Sequence, residues 1–242
     1  MTPQAESILE MFRSTGAYLQ GHFRLTSGLH SAEYLQCALV LQHPAAAEKL
    51  GWLLAEALRP LAPGAIGVVA SPALGGLVIG HEVARALGTR FLFTERDTAS
   101  GKMALRRGFT VAPGETAVVI EDVITTGGST RDVIEVLRAA GVCVLAAGSI
   151  IDRSGGRAGV GVPRVALATL QVAAHYPEQC PMCALGIPVA KPGSRPASCA
   201  ASRSNSPTMA APFMGGSSSP ACPPSRASSN RSFPKWKATP CT

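Results

Sequence analysis

Apolar positions recur along residues 1–195 with two alternating periods, one helical and one strand-like. In residues 6–15, Ile8, Met11 and Phe12 fall on one side of a helix that Gly16 closes. Residues 44–59 open on Pro44, whose fixed φ suits a first helical turn, and align Ala47, Leu50, Leu54, Ala57 and Leu58. Residues 76–87 carry Ile79, Val83, Ala86 and Leu87 on one stripe, with Gly88 as the stop. Residues 129–140 align Val133, Val136, Leu137 and Ala140 ahead of Gly141. Between these segments lie short, largely apolar runs at 66–70, 90–94, 117–121, 142–151 and 165–171. Strands buried on both faces read this way, without polar alternation. The pattern predicts an α/β fold: a mainly parallel, twisted sheet with helices on both faces. In such sheets ligands bind outside the carboxyl ends of the strands.

The periodicity stops after Arg195. Residues 196–242 contain 11 Ser, 8 Pro and 8 Ala, too little apolar surface to offset the chain entropy of folding. This segment is expected to be disordered, either a regulatory or targeting tail or a terminus without function. It also changes the meaning of the net charge of +7. Five basic residues (Arg203, Arg226, Arg231, Lys235, Lys237) and no acid lie in it, so residues 1–195 hold only about +2. With 5% aromatic residues, base-stacking platforms are also excluded, and no nucleic-acid partner is expected. The first twelve residues carry two Glu and no apolar core of a signal peptide, and no apolar run reaches membrane-spanning length. Seven scattered cysteines fit a reducing cytoplasm better than a disulfide framework.

The strongest chemical signal is the strand Val118-Val119-Ile120 running into Glu121-Asp122 and then Val123-Ile124-Thr125-Thr126-Gly127-Gly128-Ser129-Thr130. A helix starts there, offering unpaired N–H groups and the positive end of its dipole. Gly127 and Gly128 let the backbone curl close to a tetrahedral anion, and Thr125, Thr126, Ser129 and Thr130 add hydroxyl donors. The segment predicts a monophosphate cradle. Glu121 and Asp122, just ahead of it, can accept hydrogen bonds from a vicinal diol, so cradle and carboxylates together select a sugar phosphate. Neither a P-loop nor a dinucleotide fingerprint is present.

Residues 118–130 resemble the 5-phosphoribosyl 1-diphosphate (PRPP) signature of the type I phosphoribosyltransferases. Phe23-Arg24-Leu25-Thr26-Ser27-Gly28-Leu29-His30-Ser31-Ala32-Glu33-Tyr34 resembles the N-terminal substrate segment of the orotate phosphoribosyltransferases, and Ser71-Pro72-Ala73-Leu74-Gly75-Gly76 their pyrophosphate loop. The resemblance spans about residues 1–195 and implies a type I fold with a small N-terminal hood over about residues 1–40. It implies that Glu121, Asp122, Val123, Ile124, Thr125, Thr126, Gly127, Gly128 and Ser129 bind PRPP, that Thr125 and Arg153 meet orotate, and that Mg²⁺ accompanies the diphosphate. It implies a homodimer in which each mobile loop reaches the neighbour's site. An arginine fork at a strand end is also a natural bidentate partner for the orotate carboxylate.

Two departures stand out. Thr26 replaces a lysine found in many orotate enzymes, so that lysine's contact is not expected. The loop at residues 95–108 lacks histidine and draws its positive charge from Arg96, Lys102, Arg106 and Arg107, of which Lys102 is assigned the catalytic role. Purine phosphoribosyl transfer and non-catalytic PRPP sensing are the alternatives. Cys180-Pro-Met-Cys183 invites a metal reading, but one CxxC offers only two ligands, no second pair stands at zinc-ribbon spacing, and His175 is nearby but unsupported. His22, His30, His43 and His81 form no recognisable cluster in the sequence, and no protein ligand to a metal is assigned.

Overall fold

The computed structural model describes residues 2–25 and 27–191. Thr26 and the Ser/Pro/Ala-rich segment 196–242 lie outside the described residues. The elements are α1 (Pro3–Ser14), β1 (Tyr18–Arg24), β2 (His30–Leu35), α2 (Cys37–Leu41), α3 (Pro44–Leu58), β3 (Val68–Pro72) and α4 (Gly76–Leu87). They continue with β4 (Arg90–Arg96), β5 (Met103–Leu105), β6 (Thr116–Ile124), α5 (Gly128–Ala139), β7 (Cys143–Asp152), β8 (Arg164–Thr169), β9 (Ala174–His175) and α6 (Pro181–Ala184).

The main sheet has the order β5-β4-β3-β6-β7-β8. All neighbouring pairs are parallel except β4–β5, a hairpin at one edge. Period-two geometry sends alternate side chains to opposite faces. Val69, Val118 and Ile120 join α1, α3 and α4 in one core. Val68, Ala117 and Val119 meet Val133, Ile134 and Leu137 of α5 in the other. The central stretches of these strands are apolar on both sides because both faces are covered. Helices α3 and α4 cross closely at Gly51: a Cβ there would lie 2.5 Å from the Glu82 Cβ. Among the described residues no helix is long and apolar enough to cross a membrane.

A second, three-stranded sheet, β1-β2-β9, is the part that the hydrophobic pattern does not reveal. β1 and β2 pair antiparallel with an irregularity between Gln20 and Phe23, and β2 pairs with β9 through His30↔His175 and Ser31↔Ala174. The returning chain also bridges Phe23 to Ala190. This sheet corrects one sequence reading. His22 and His30 do cluster, with their ring nitrogens Nε2 and Nδ1 2.8 Å apart, and the sulfurs of Cys180 and Cys183 stand beside them. Sequence spacing does not show this, because His22 and Cys180 are 158 residues apart and meet only through the chain's return to the hood.

Candidate functional site

The carboxyl ends of β3, β6 and β7 lie side by side, with β6 in the middle. Beside the ends of β6 and β7 opens a cavity of about 550 Å³. It is lined by Glu121 through Thr130 and Arg153, with Leu25, Ser27, Tyr34, Leu35 and Gln36 from the hood side. The ten consecutive residues at the end of β6 thus share one cavity with the strand-end arginine of β7. Tyr34, Leu35 and Gln36 complete the wall. Leu35 and Gln36 escape sequence reasoning, because nothing in their type or spacing marks the end of β2 as the edge of a site.

The cradle has a definite backbone reason for one glycine. Gly127 caps α5 with φ +75°, where a side chain is strained, and its Cβ would lie 2.8 Å from Val160 Cγ1. Gly128 differs: its φ is not left-handed, and the atoms nearest an added Cβ stand at 3.7 and 4.0 Å. Its openness keeps side-chain bulk out of the mouth of the cradle without serving backbone conformation. Arg131 pins the loop by donating to the carbonyls of Thr126 (2.9 Å) and Gly159 (2.7 Å). The Thr130 hydroxyl is buried without a hydrogen-bond partner.

Glu121 and Asp122 form a coupled acid pair at the end of β6. Burial, reinforced by the adjacent Asp122 carboxylate, pushes the Glu121 carboxyl up to about 9. Burial also raises Asp122, against the backbone N–H of Val123 that its Oδ1 accepts at 2.8 Å. Asp122 is pressed against the 71–76 loop: a Cβ on Gly75 would stand 2.7 Å from both of its carboxylate oxygens. The loop itself follows β3 and opens α4, with a cis Ala73–Leu74 peptide.

The acid pair makes stability depend on pH with a definite sign. Between the unfolded carboxyl value near 4.3 and the folded value, the native state holds the extra proton, so stability falls as pH rises through that window. Glu121→Gln keeps the shape and removes the ionisation. It is expected to melt about 3–6 °C above the parent protein near pH 8 and level with it near pH 4. Thermal melts across that range check this, and a difference independent of pH would contradict it.

Arg153 follows β7 directly. Its backbone N–H donates to the Ile124 carbonyl at 2.8 Å, which ties it to the end of β6. Arg153 lines the cavity, and its Nε is buried with no hydrogen-bond partner among the described residues. Burial lowers its pKa from the ordinary value, a measure of how incompletely the protein alone solvates this cation. The turn that carries it is held by Asp152, which is buried. Asp152 accepts from Ser154 N (2.7 Å), Ser154 Oγ (2.6 Å) and Gly156 N (3.0 Å), and pairs with Arg164 at 2.9 Å. Burial alone would raise the Asp152 carboxyl, but Ser154 and Arg164 outweigh it and hold the group below its usual value.

Lys102 stands apart. It precedes β5 in the β4–β5 hairpin, is exposed and does not line the cavity. Of the four basic residues in this loop, Arg96 pairs with Asp132 at 2.9 Å and Arg107 with Glu95 at 2.7 Å. Lys102 and Arg106 form no ion pair among the described residues, so their charge is available to an incoming anion.

The phosphoribosyl transferase domain model matches residues 38–164 of the chain. The chain is 53% identical to the orotate phosphoribosyltransferase of Pelotomaculum thermopropionicum over 190 residues, 78% of this chain and 97% of that one. It is 52% identical to the orotate phosphoribosyltransferase of Heliobacterium modesticaldum over 190 residues, 78% of this chain and 98% of the relative. Among solved structures, the orotate phosphoribosyltransferase of Aeropyrum pernix is similar with a TM-score of 0.55 and 28% identity, covering 68% of this chain and 94% of its own.

Proposed function

This chain belongs to the orotate phosphoribosyltransferases, a branch of the phosphoribosyltransferase family, and we propose that it carries out their transfer reaction. The phosphoribosyl group of PRPP passes to orotate, giving orotidine 5′-phosphate and diphosphate in pyrimidine biosynthesis. The observation that supports this substrate pair is the single cavity that joins an acid pair, an anion cradle and an arginine with an unpartnered buried Nε.

The 5-phosphate fits the cradle from Thr125 to Ser129, where the start of α5 turns N–H groups toward it. Glu121 and Asp122 accept from the ribose diol, and the 71–76 loop receives the diphosphate. Arg153 takes the orotate carboxylate, with Thr125 beside the ring. Orotate N1 bonds to C1 of the ribose as the C1–oxygen bond to diphosphate breaks and its electron pair leaves with the diphosphate. Charge builds up on the sugar in an oxocarbenium-like transition state. The protein's contribution is orientation and fixed charge at that moment.

The residues fit a Mg²⁺ ion that arrives with PRPP. The adjacent carboxyls of buried Glu121 and half-buried Asp122 both have raised pKa values, and Asp122 faces a backbone that leaves no room for a side chain at Gly75. Mg²⁺ characteristically takes one or two carboxylates with substrate oxygens and water. When bound it neutralises diphosphate charge; Glu121 and Asp122 are the groups that would hold it.

Lys102 is assigned to the diphosphate leaving group, reaching the site of a second copy in a homodimer. Its exposure and lack of an ion pair support this role. Lys102→Ala is expected to lower kcat by about 100-fold, in the range for one charge-stabilising donor, and to leave PRPP affinity within a few-fold. Single-turnover kinetics and PRPP titration separate these, and a normal kcat excludes the role. We take residues 1–195 as the catalytic domain, its hood over about residues 1–40, and the cytoplasm as its location.

The deciding experiment follows orotate absorbance with the full chain, PRPP and Mg²⁺, beside matched reactions with adenine and hypoxanthine. PRPP-dependent loss of orotate is the expected result. Turnover of a purine instead, or PRPP binding without turnover of any base, contradicts the assignment.

A further inference from the structure

Away from the cavity wall, four side chains with soft or borderline donor atoms converge where the hood meets the returning chain. His22 comes from β1, His30 from β2, and Cys180 and Cys183 from the start of α6 and its preceding residue. One ligand atom from each lies within 4.8 Å of every other. His22 Nε2 is 2.8 Å from His30 Nδ1, 3.5 Å from Cys180 Sγ and 3.7 Å from Cys183 Sγ, and Cys183 Sγ is 3.3 Å from His30 Nδ1.

These spacings can be compared with those of a tetrahedral ion. Zinc bonds of about 2.3 Å to sulfur and about 2.05 Å to nitrogen imply ligand separations of about 3.6 Å for S···N and about 3.3 Å for N···N. The three sulfur–nitrogen distances fall within 0.3 Å of that value. The two imidazoles are closer than a shared ion would hold them, at hydrogen-bond distance, so a shift of about half an ångström completes the tetrahedron.

The surroundings fit a ligand set. His22 Nδ1 lies 2.7 Å from the Ile187 carbonyl. Donation to that carbonyl places the proton on Nδ1 and leaves the Nε2 lone pair facing the cluster, the usual outer support of a metal-bound histidine. His22, His30 and Cys180 are buried and Cys183 is exposed, so three of the four donors are shielded from water and the cluster opens to the surface on the Cys183 side. The returning chain holds both histidines: Ala190 N–H donates to the His22 carbonyl at 2.8 Å, and β9 pairs His175 with His30.

We propose that His22, His30, Cys180 and Cys183 form a structural Cys₂His₂ site for Zn²⁺ that fastens the hood to the returning chain. Four protein ligands close the coordination sphere, leaving no position for a substrate or water, which separates this site from a catalytic one. The softness of two thiolates selects Zn²⁺ over Mg²⁺. The site stands independently of the transfer reaction. Because β2 leads into Tyr34, Leu35 and Gln36 of the cavity wall, its metal steadies one side of that cavity.

The test is metal analysis of the full chain purified without chelator. One equivalent of zinc per chain is expected. Cys180→Ser combined with Cys183→Ser is expected to lower bound zinc by about tenfold or more. Should that variant fold poorly, Co²⁺ replacement in the unaltered chain gives a second reading. Thiolate-to-cobalt charge transfer with strong tetrahedral d–d bands supports the site. A weak octahedral spectrum overturns it, as does a folded, zinc-free protein that takes up no metal, or one whose zinc survives loss of both thiols. Hydrogen exchange of the metal-loaded and stripped chain should show faster exchange in residues 18–35 and 174–190 on stripping, with β3 and β6 unchanged. Equal exchange in the two forms overturns the fastening role.

Discussion

Arg153→Ala is expected to lower kcat/KM for orotate by about 100- to 1000-fold while changing the KM for PRPP by only a few-fold. Charge-assisted hydrogen bonds contribute about 1.5–3 kcal/mol each, and a bidentate carboxylate clamp has two of them. Each 1.36 kcal/mol is about tenfold in rate. The buried Nε, with no partner among the described residues, and the burial that depresses the guanidinium support this expectation. Arg153→Lys should recover little of the loss, because a point ammonium cannot reproduce the planar fork. The alanine variant should fold at least as stably as its parent, since it removes an incompletely solvated charge. Steady-state kinetics with orotate varied at saturating PRPP, beside a thermal melt, check both parts. A kcat/KM within threefold of the parent removes Arg153 from the orotate site.

The largest expected stability effect lies one residue earlier. Asp152→Ala takes the buried carboxylate away from the half-buried Arg164 and removes three hydrogen bonds that hold the turn after β7. Breaking a buried pair from one side costs about 3–5 kcal/mol, which in a domain of this size lowers Tm by roughly 6–20 °C. The folded carboxyl lies below its unfolded value, so its contribution is complete above the unfolded value near 3.9 and is lost as pH falls through the folded one. The difference in Tm between parent and variant should therefore shrink in acid. Asp152→Ala with Arg164→Met should be less destabilised than Asp152→Ala alone; equal or greater loss in the double variant shows that the pair is not the cause. Orotate KM should rise as well, since the turn aims Arg153.

The parts of the fold legible in the sequence are those with one dominant signal. α4 spans Gly76–Leu87 as its periodicity indicates, because Gly88 adopts φ +67° immediately after it. β6 runs past the expected end at residue 121 to Ile124, because Glu121, Val123 and Ile124 still pair with β7. Two cavity-lining carboxylates are thus carried inside a strand, where composition gives no hint of pairing. The three-stranded sheet β1-β2-β9 carries no such signal. β1 contains Gly21, changes register between Gln20 and Phe23, and has no clean alternation of buried and exposed positions. The same irregularity hid the His22–His30 juxtaposition. The cradle could be read because its chemistry is contiguous in the chain. Leu35, Gln36 and the unpaired state of Lys102 depend on contacts between distant segments, which no local pattern records.

The sheet order carries a consequence for how such a site can change. β3, β6 and β7 are hydrogen-bonded neighbours, spaced by about 4.8 Å, so their ends act as three adjacent stalls. On the assignment above, the stalls receive diphosphate, ribose and base in that order, and the sheet works as a ruler laid along the substrate. The nucleobase stall is an outer one of the three. Its occupant can be exchanged by rewriting the turn after β7 and the facing wall of β2, with the sugar-phosphate grip left intact. One scaffold can thereby serve different bases without relearning how to hold the ribose.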